Sequence, residues 1–401
     1  MKKSTFRRQV VLVVWMLLCG LSAQAADEDL ITQQITINAL EAGTLPQRIS
    51  SSKKNLITNL KIIGEINGTD LKFIREMAGR DVKDHSTDGK LSMLDLYDAK
   101  IVSGGDCYYI DDYTNNYYTQ DNIIGEHAFW CCDRLTSITL PSSVKWINHG
   151  AFIGCGRLTS VTFPSGLVGI GSAAFRDCDD LTNVTLPTSL VEIGSRAFWD
   201  CDALTNVTLP YGLVEIGSDA FCDCNNLTSV TLPSKLAVIQ SGTFKGCSSL
   251  TSVTFPSSLT SIDESAFEDC SNLSTLIIPS GLTSLSTLNE ASIFEGSGIK
   301  SVYVAWPTPV PAGQFFYGFD VSQSTLYVPQ GTRQDYWVAA VWEDFGDIQE
   351  YEVSAINQPA HHSEAKEVSR NSLDGQRLTT PVKGLNIVRY SDGTIKKEAV
   401  H

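Results

Sequence analysis

The groups in this chain that could do chemistry are its cysteines, its histidines and a set of aspartates, and their spacing limits what each can be. Seven of the eleven cysteines stand 23 residues apart, at Cys132, Cys155, Cys178, Cys201, Cys224, Cys247 and Cys270. Thiols can serve as metal ligands, disulfide halves or nucleophiles. An odd column leaves one thiol unpaired. Side chains stacked in a column also point the same way, with Cβ atoms too far apart for an S–S bond. The reading is therefore buried thiols that pack and hydrogen-bond weakly to turn backbone, with partial pairing and metal as the functional alternatives. Cys107, Cys131 and Cys222 stand off the column, and Cys107–Cys131 is left open as a bridge. His85, His127, His149, His361, His362 and His401 occur in no HExxH, CxxC or Gly-x-Ser-x-Gly setting. His127 and His149 fall on adjacent cycles and could approach each other. An exposed polar turn is preferred to zinc there. No catalytic, cofactor or metal residue is assigned.

The surface columns are the other candidates. Asp177, Asp179, Asp180, Asp200, Asp202, Asp223, Glu268 and Asp269 cluster beside the cysteine column, with Trp130 and Trp199 among them. Carboxylates can hold Ca²⁺, but here they come singly from each cycle with no cradle of fixed spacing, so solvation is the plainer reading. Trp is favoured at interface hot spots, which makes Trp130 and Trp199 binding-surface candidates, with Tyr211 beside them. A third set is the row Thr139, Thr162, Thr185, Thr208, Thr231 and Thr254, next to Ser137, Ser160, Asn183, Asn206, Ser229 and Ser252. Threonine suits an exposed strand in any case; the functional reading is a flat, uncharged, hydrogen-bonding face.

These residues are positioned by a repeat. Pro141 to Pro279 and Phe129 to Phe267 recur in phase with the cysteines at the same 23-residue interval, and a period of this size means stacked supersecondary units. In the cycle from Leu158, Val161 and Phe163 alternate with Ser160 and Thr162, the pattern of a short strand with one buried face. Pro164 has no N–H for a neighbouring strand and ends the ladder. Leu167 and Ile170 point inward, Ala174, Phe175 and Cys178 make a tight bend, and Leu181 starts the next strand. A coil buries about seven side chains at roughly 1.5–3 kcal/mol each, while ordering each residue's backbone costs roughly 1–2 kcal/mol. One coil alone is unstable, so the coils must stack. The fold class expected is a repeat solenoid of leucine-rich coils with a parallel β-sheet on one face, plus a small C-terminal β module.

The string Leu-Thr-Ser-Val-Thr-Leu-Pro, then Leu, Ile-Gly, Ala-Phe and Cys, is clearest from Leu181 to Cys201. It resembles the BspA-like leucine-rich repeat family of bacterial cell-surface proteins. The resemblance implies protein–protein interaction and adhesion, to host matrix proteins or other cells. A carbohydrate-capture or scaffold role in a bacterial surface assembly is the alternative; exposed Trp and Tyr fit it, although no compact aromatic cleft is visible in the sequence. The copies diverge at the ends, with Trp146-Ile147-Asn148 in the first, and an insertion near 286–289 and Ser297 for the ladder Cys in the last.

The expected organisation is 1–25 signal peptide, 26–122 N-terminal cap with degenerate coils, 123–300 regular repeats, 301–352 C-terminal capping segment, 353–371 linker and 372–401 β tail. The leader is read from basic Lys2, Lys3, Arg7 and Arg8, the apolar run Val10–Leu21, too short to span a bilayer, and Ala23-Gln24-Ala25. In the cap, Leu60–Gly64 and Leu91–Leu96 read as strands, Leu71–Met77 as a helix, and the Tyr-rich stretch 108–118 as a surface loop. Trp337 and Trp342 are expected to cover the last coil. The tail, with Asp374-Gly375, Gly384 and Lys396-Lys397, resembles a type IX secretion sorting domain of Bacteroidetes. These readings place the protein as secreted or at the outer-membrane surface of a Gram-negative bacterium, with no membrane span in the mature chain. The formal net charge is −15, and loss of the leader's four cations takes it near −19. Such a surface disfavours nucleic acid and anionic lipid as partners, and leaves proteins and glycans.

Overall fold

The computed structural model describes residues 30–282, 292–313 and 315–352, and the backbone of strands Glu367–Ser372, Arg377–Leu378, Gly384–Tyr390 and Ile395–Val400. The leader, the insertion at 286–289 and the turns at 374–375 and 392–393 lie outside these residues. The chain divides into two compact units, 1–300 with 312–320, and 301–311 with 321–401.

In the first unit the coils stack as a parallel β-solenoid. One wall is built from Ser137–Thr139, Ser160–Thr162, Asn183–Thr185, Asn206–Thr208, Ser229–Thr231, Ser252–Thr254 and Thr275–Ile278. Its pairings are parallel and in register, with Ile138 opposite Val161, Val184 opposite Val207 and Val230 opposite Val253. The central Val or Ile faces the core and its neighbours face out, because side chains alternate across a strand. Threonine hydroxyls at the strand entrance clip successive coils: Thr228 Oγ1 donates to the Thr205 carbonyl at 3.3 Å, and Thr251 to Thr228 at 3.2 Å. After the proline the chain turns into a second wall of two-residue strands, Ile123–Ile124, Trp146–Ile147, Gly169–Ile170, Glu192–Ile193 and Glu215–Ile216.

The third wall is the bend carrying Phe and Cys. The phenylalanines from Phe129 to Phe294 form one fully buried stack, with Phe152 and Phe175 at 4.9 Å between centroids and 4° between planes. Each ladder thiol from Cys155 to Cys270 donates to a carbonyl of the preceding coil, as with Cys178 Sγ to Phe152 O at 3.3 Å, Cys201 to Phe175 at 3.2 Å and Cys247 to Phe221 at 3.1 Å. Cys107, Cys131 and Cys222 are free thiols as well, so no bridge joins Cys107 to Cys131.

Before the repeats, strands Ile35–Ala39, Asn59–Ile66 and Met93–Asp95 extend the first wall in register, with Leu60, Leu94 and Ile138 side by side. Helix Gly68–Met77 packs beside them. Its capping box is made by Asn67 and Asp70, and Asp70 also takes the backbone N–H of Leu45 at 2.8 Å. The Tyr-rich stretch is an antiparallel hairpin, Gly104–Ile110 with Asn116–Thr119, and not a loop: Tyr108 and Tyr109 are buried while Tyr113 and Tyr118 are exposed.

The second unit pairs Ser301–Val304, Thr325–Pro329 and Asp347–Tyr351 in parallel. Trp342 is buried against Trp306, Tyr336 and Phe345, and its Nε1 donates to Val310 O at 2.8 Å. Trp337 is not a core residue: it is 53% exposed and lies under the Arg333 guanidinium at 4.9 Å. The expected linker 353–371 ends too late, since Glu367–Ser372 is already a strand of a four-stranded antiparallel sheet with Arg377–Leu378, Gly384–Tyr390 and Ile395–Val400.

Candidate binding surface

The bend wall owes its form to two left-handed residues in each coil. Two positions before the phenylalanine come His127, Gly150, Ala173, Arg196, Asp219, Gly242 and Ser265, with φ between 52° and 62°. Two positions after it come Cys131, Gly154, Asp177, Asp200, Asp223, Gly246, Asp269 and Gly296, with φ between 53° and 73°. Glycine takes this region freely and Asp tolerates it better than most residues. The acidic column of the sequence is thus first a conformational choice. Its charges still interact: burial, then Asp200 and Asp177, push Asp179 above the usual carboxylate range, and burial with Asp202 and Asp177 does the same at Asp200. Among the described residues no group of three or more His, Cys, Asp or Glu could hold a metal ion.

Alternating left-handed residues aim alternate N–H groups one way. Ala173 N donates to Ser195 O, Phe175 N to Ala197 O and Asp177 N to Trp199 O, at 2.8, 2.8 and 2.9 Å. The same three bonds run forward from the Phe129 coil, where His127, Phe129 and Cys131 donate to His149, Ala151 and Ile153. The first coil's own acceptors would then face nothing. Side chains of the preceding segment reach this end: Arg75 Nη1 donates to Ala128 O at 3.2 Å and Tyr108 Oη to Glu126 O at 2.8 Å, while Arg75 Nη1 to His127 O at 3.0 Å and Arg80 Nε to Cys131 O at 2.9 Å add second donors to carbonyls that already accept the N–H of Trp130 and Asp133. Arg75 has no exposed surface, and its guanidinium also lies 5.0 Å from the Tyr109 ring centroid.

The hairpin that supplies Tyr108 folds across the bend and creates a groove of about 570 Å³. One end is aromatic. Trp130 stacks on Tyr109 at 6.1 Å and meets His127 edge-on at 4.8 Å, with Tyr113 at the rim. The floor is a row of small residues from successive coils, Ser172, Ala173, Ser195 and Ser218, and the far end holds Arg176, Arg196 and Asp219. Asp111 and Asp112 of the hairpin turn also line the groove.

His127 and His149 do meet, at 5.3 Å between ring centroids; His149 is exposed as expected, but His127 is not. His127 is 8% exposed, because the hairpin covers it, and its Nδ1 has no hydrogen-bond partner. Burial, then the neighbouring His149 and Arg75, lowers its pKa from 6.5 to about 4 against the opposing pull of Asp111, so the ring is neutral at pH 7.

Trp130 and Trp199 occupy one column, with Ile153 and Arg176 between them. Neither is the fully exposed ring that the sequence suggested. Trp199 is half-buried under two guanidinium groups, Arg176 at 4.5 Å and Arg196 at 4.9 Å, and its Nε1 donates to Asp223 Oδ2 at 3.1 Å. It supports the arginines, which sequence reasoning passed over. Tyr211 is 69% exposed at the corner after Pro210, beside exposed Val214. The threonines stand on the first wall: Thr162, Thr185, Thr208, Thr231 and Thr254 are exposed and Thr139 is half-buried. The structure therefore spreads the candidates over separate walls and gathers a different set in the groove. The signal for that set was the break in column chemistry at His149 and Arg196, where a small or acidic residue is the rule.

The family model of the BspA type leucine-rich repeat region matches residues 122–216 and 191–306, in six copies. A solved leucine-rich repeat protein of T. pallidum is 38% identical over 37% of this chain and 69% of that one, with a TM-score of 0.36. A leucine-rich repeat protein of Bacteroides ovatus is 24% identical over 68% of this chain and 64% of its own, with a TM-score of 0.47. A leucine-rich cell surface protein of Faecalibacterium prausnitzii is 21% identical over 82% and 91%, with a TM-score of 0.33. No curated protein matches the chain. Among the described residues no helix is long and apolar enough to cross a membrane.

Proposed function

We propose that this chain, which belongs to the BspA-type leucine-rich repeat family, is an exported bacterial surface protein that holds other macromolecules by contact and catalyses nothing. The observation that carries this reading is the division of labour within each coil. The Leu, Val, Ile, Phe and Cys columns are consumed by the core. The outward columns left over form an exposed, uncharged and in-register Thr and Ser/Asn face. Among the described residues the hydroxyls of Thr162, Thr185, Thr208, Thr231 and Thr254 make no intramolecular hydrogen bond, so they remain available to a partner. Such a face suits the docking of an extended protein surface, and matrix proteins or the surfaces of other cells are the proposed partners.

The full chain probed on matrix-protein and cell-surface-protein arrays tests this. Saturable protein binding that Thr185→Lys with Thr208→Lys abolishes, in a variant whose unfolding midpoint is retained, supports the reading. Binding to glycans alone rejects it.

A second reading, carbohydrate capture, is favoured by the groove itself. It supplies the compact aromatic cleft that the sequence did not reveal, with Trp130, Tyr109 and Tyr113 at one end and serine hydroxyls along the floor.

A further inference from the structure

We propose that the groove between the hairpin Gly104–Thr119 and the bend wall binds a short oligosaccharide carrying one carboxylated sugar. The proposal rests on the carbohydrate reading and specifies its ligand. The groove's volume of about 570 Å³ is that of a site for a small ligand.

The cationic end sets the anion. Arg176 Nε is held by Asp177 at 3.3 Å and Arg196 Nε by Asp219 at 3.1 Å. Among the described residues the Nη atoms of both have no partner, and Trp199 beneath fixes the two planes. Two guanidinium groups with their outer edges open form a ready fork for a carboxylate. Arg196 holds that place in the left-handed region, φ 58°, where the coils on either side put Ala173 and Asp219. A long side chain kept in an unfavourable backbone state points to a use for it.

The groove's own carboxylates limit the charge. Asp111 and Asp112, near His127 and Tyr109, line the same groove as the arginines, and Asp219 pairs with Arg196. A polyanion would be repelled at close range. A ligand with one carboxylate and several hydroxyls satisfies the arginines and these carboxylates alike, because carboxylates accept from hydroxyls. The floor agrees: Ser172, Ser195 and Ser218 present hydroxyls from three successive coils. The rings of Trp130 and Tyr113 offer flat apolar faces of the kind that a sugar's C–H face covers. A peptide carboxylate would answer the arginines but would bring no hydroxyls to the serine row.

The test is titration calorimetry on the full chain with sialyllactose, cellobiouronic acid, lactose and a Gly-Glu-Gly peptide. The expected result is that at least one of the two acidic sugars binds at least tenfold tighter than lactose, and weakens as salt is raised. Arg196→Gly, which relieves the left-handed backbone, should lower that affinity at least tenfold without lowering the unfolding midpoint. Arg176→Gln should do the same should Arg196→Gly fold poorly. The proposal is overturned by failure of both acidic sugars, by equal binding of lactose, by tighter binding of the peptide, or by indifference to both arginine variants. If neutral glycans bind on an array while the acidic sugars fail here, this assignment falls and the carbohydrate reading survives.

Discussion

Arg75 Nη1 donates to the carbonyl of Ala128 at 3.2 Å, across 53 residues of chain, and so closes the open end of the bend ladder. Replacing this fully buried guanidinium by methionine leaves the carbonyl of Ala128 without a donor, while that of His127 keeps the N–H of Trp130. An unsatisfied buried carbonyl costs about 1–3 kcal/mol, so Arg75→Met is expected to destabilise by about 1–3 kcal/mol. Urea denaturation measures it; a loss within about 0.5 kcal/mol of zero, the range of an ordinary surface substitution, would show that the ladder needs no terminator.

The two left-handed positions make opposite predictions for neighbouring residues. A non-glycine residue there carries about 1–2 kcal/mol of strain, of which glycine's greater freedom in the unfolded chain cancels about half. Ala173→Gly should therefore raise stability by about 0.5–1 kcal/mol. Ala174→Gly, one residue on and outside the left-handed set, should lower it. Thermal unfolding of the two variants side by side decides the matter, and a loss in both would refute the assignment of strain.

The ladder thiols should be chemically silent in the folded protein. Burial pushes Cys132 and Cys270 up to about 12 and raises Cys155, Cys178, Cys201 and Cys247 well above the usual thiol range. Only the thiolate is alkylated. Iodoacetamide at pH 8, followed by peptide mass mapping, is expected to leave these residues unmodified until denaturant is added. Modification of Cys201 at the rate of a free thiol would contradict the buried column.

His127 gives a pH dependence of definite sign. The unfolded chain binds a proton on this ring near pH 6.5 and the folded chain only near 4. Its contribution is complete above pH 6.5 and is lost as pH falls toward 4, by about 3 kcal/mol at most. Asp179 and Asp200, whose pKa values are raised, act in the opposite sense in acid. The comparison must therefore be with His127→Phe: between pH 7 and pH 4.5 wild type should lose more stability than the variant. Parallel urea midpoints would rule out a buried neutral imidazole.

The sequence disclosed what repeats and concealed what does not. Phase alone located the Val, Phe and Cys columns, since three residue types at one interval can share only one geometry. The same columns misled at Asp177, Asp200, Asp223 and Asp269. Alternation with Gly154, Gly246 and Gly296 in that column is the sign of a left-handed backbone, which the carboxylates obscure. The hairpin was illegible because tyrosines interleaved with Asp and Asn read as a loop, and what folds them is a contact 18 residues away, Tyr108 to Glu126. His127 was misplaced for the same reason: nothing local to it says that a hairpin will cover it. The groove follows from that covering, so its residues could be seen only one coil at a time.

The bend ladder has a direction, and direction bears on ancestry. A coil that passes its N–H groups forward and receives those of the coil behind meets identical neighbours on both sides, as Phe175 N to Ala197 O and Phe198 N to Ala220 O illustrate. Duplicating or deleting one such coil by unequal recombination leaves every backbone donor with its acceptor. The number of regular coils can therefore drift from one lineage to another, while the segment that carries Arg75 and Tyr108 has only one place where it can stand.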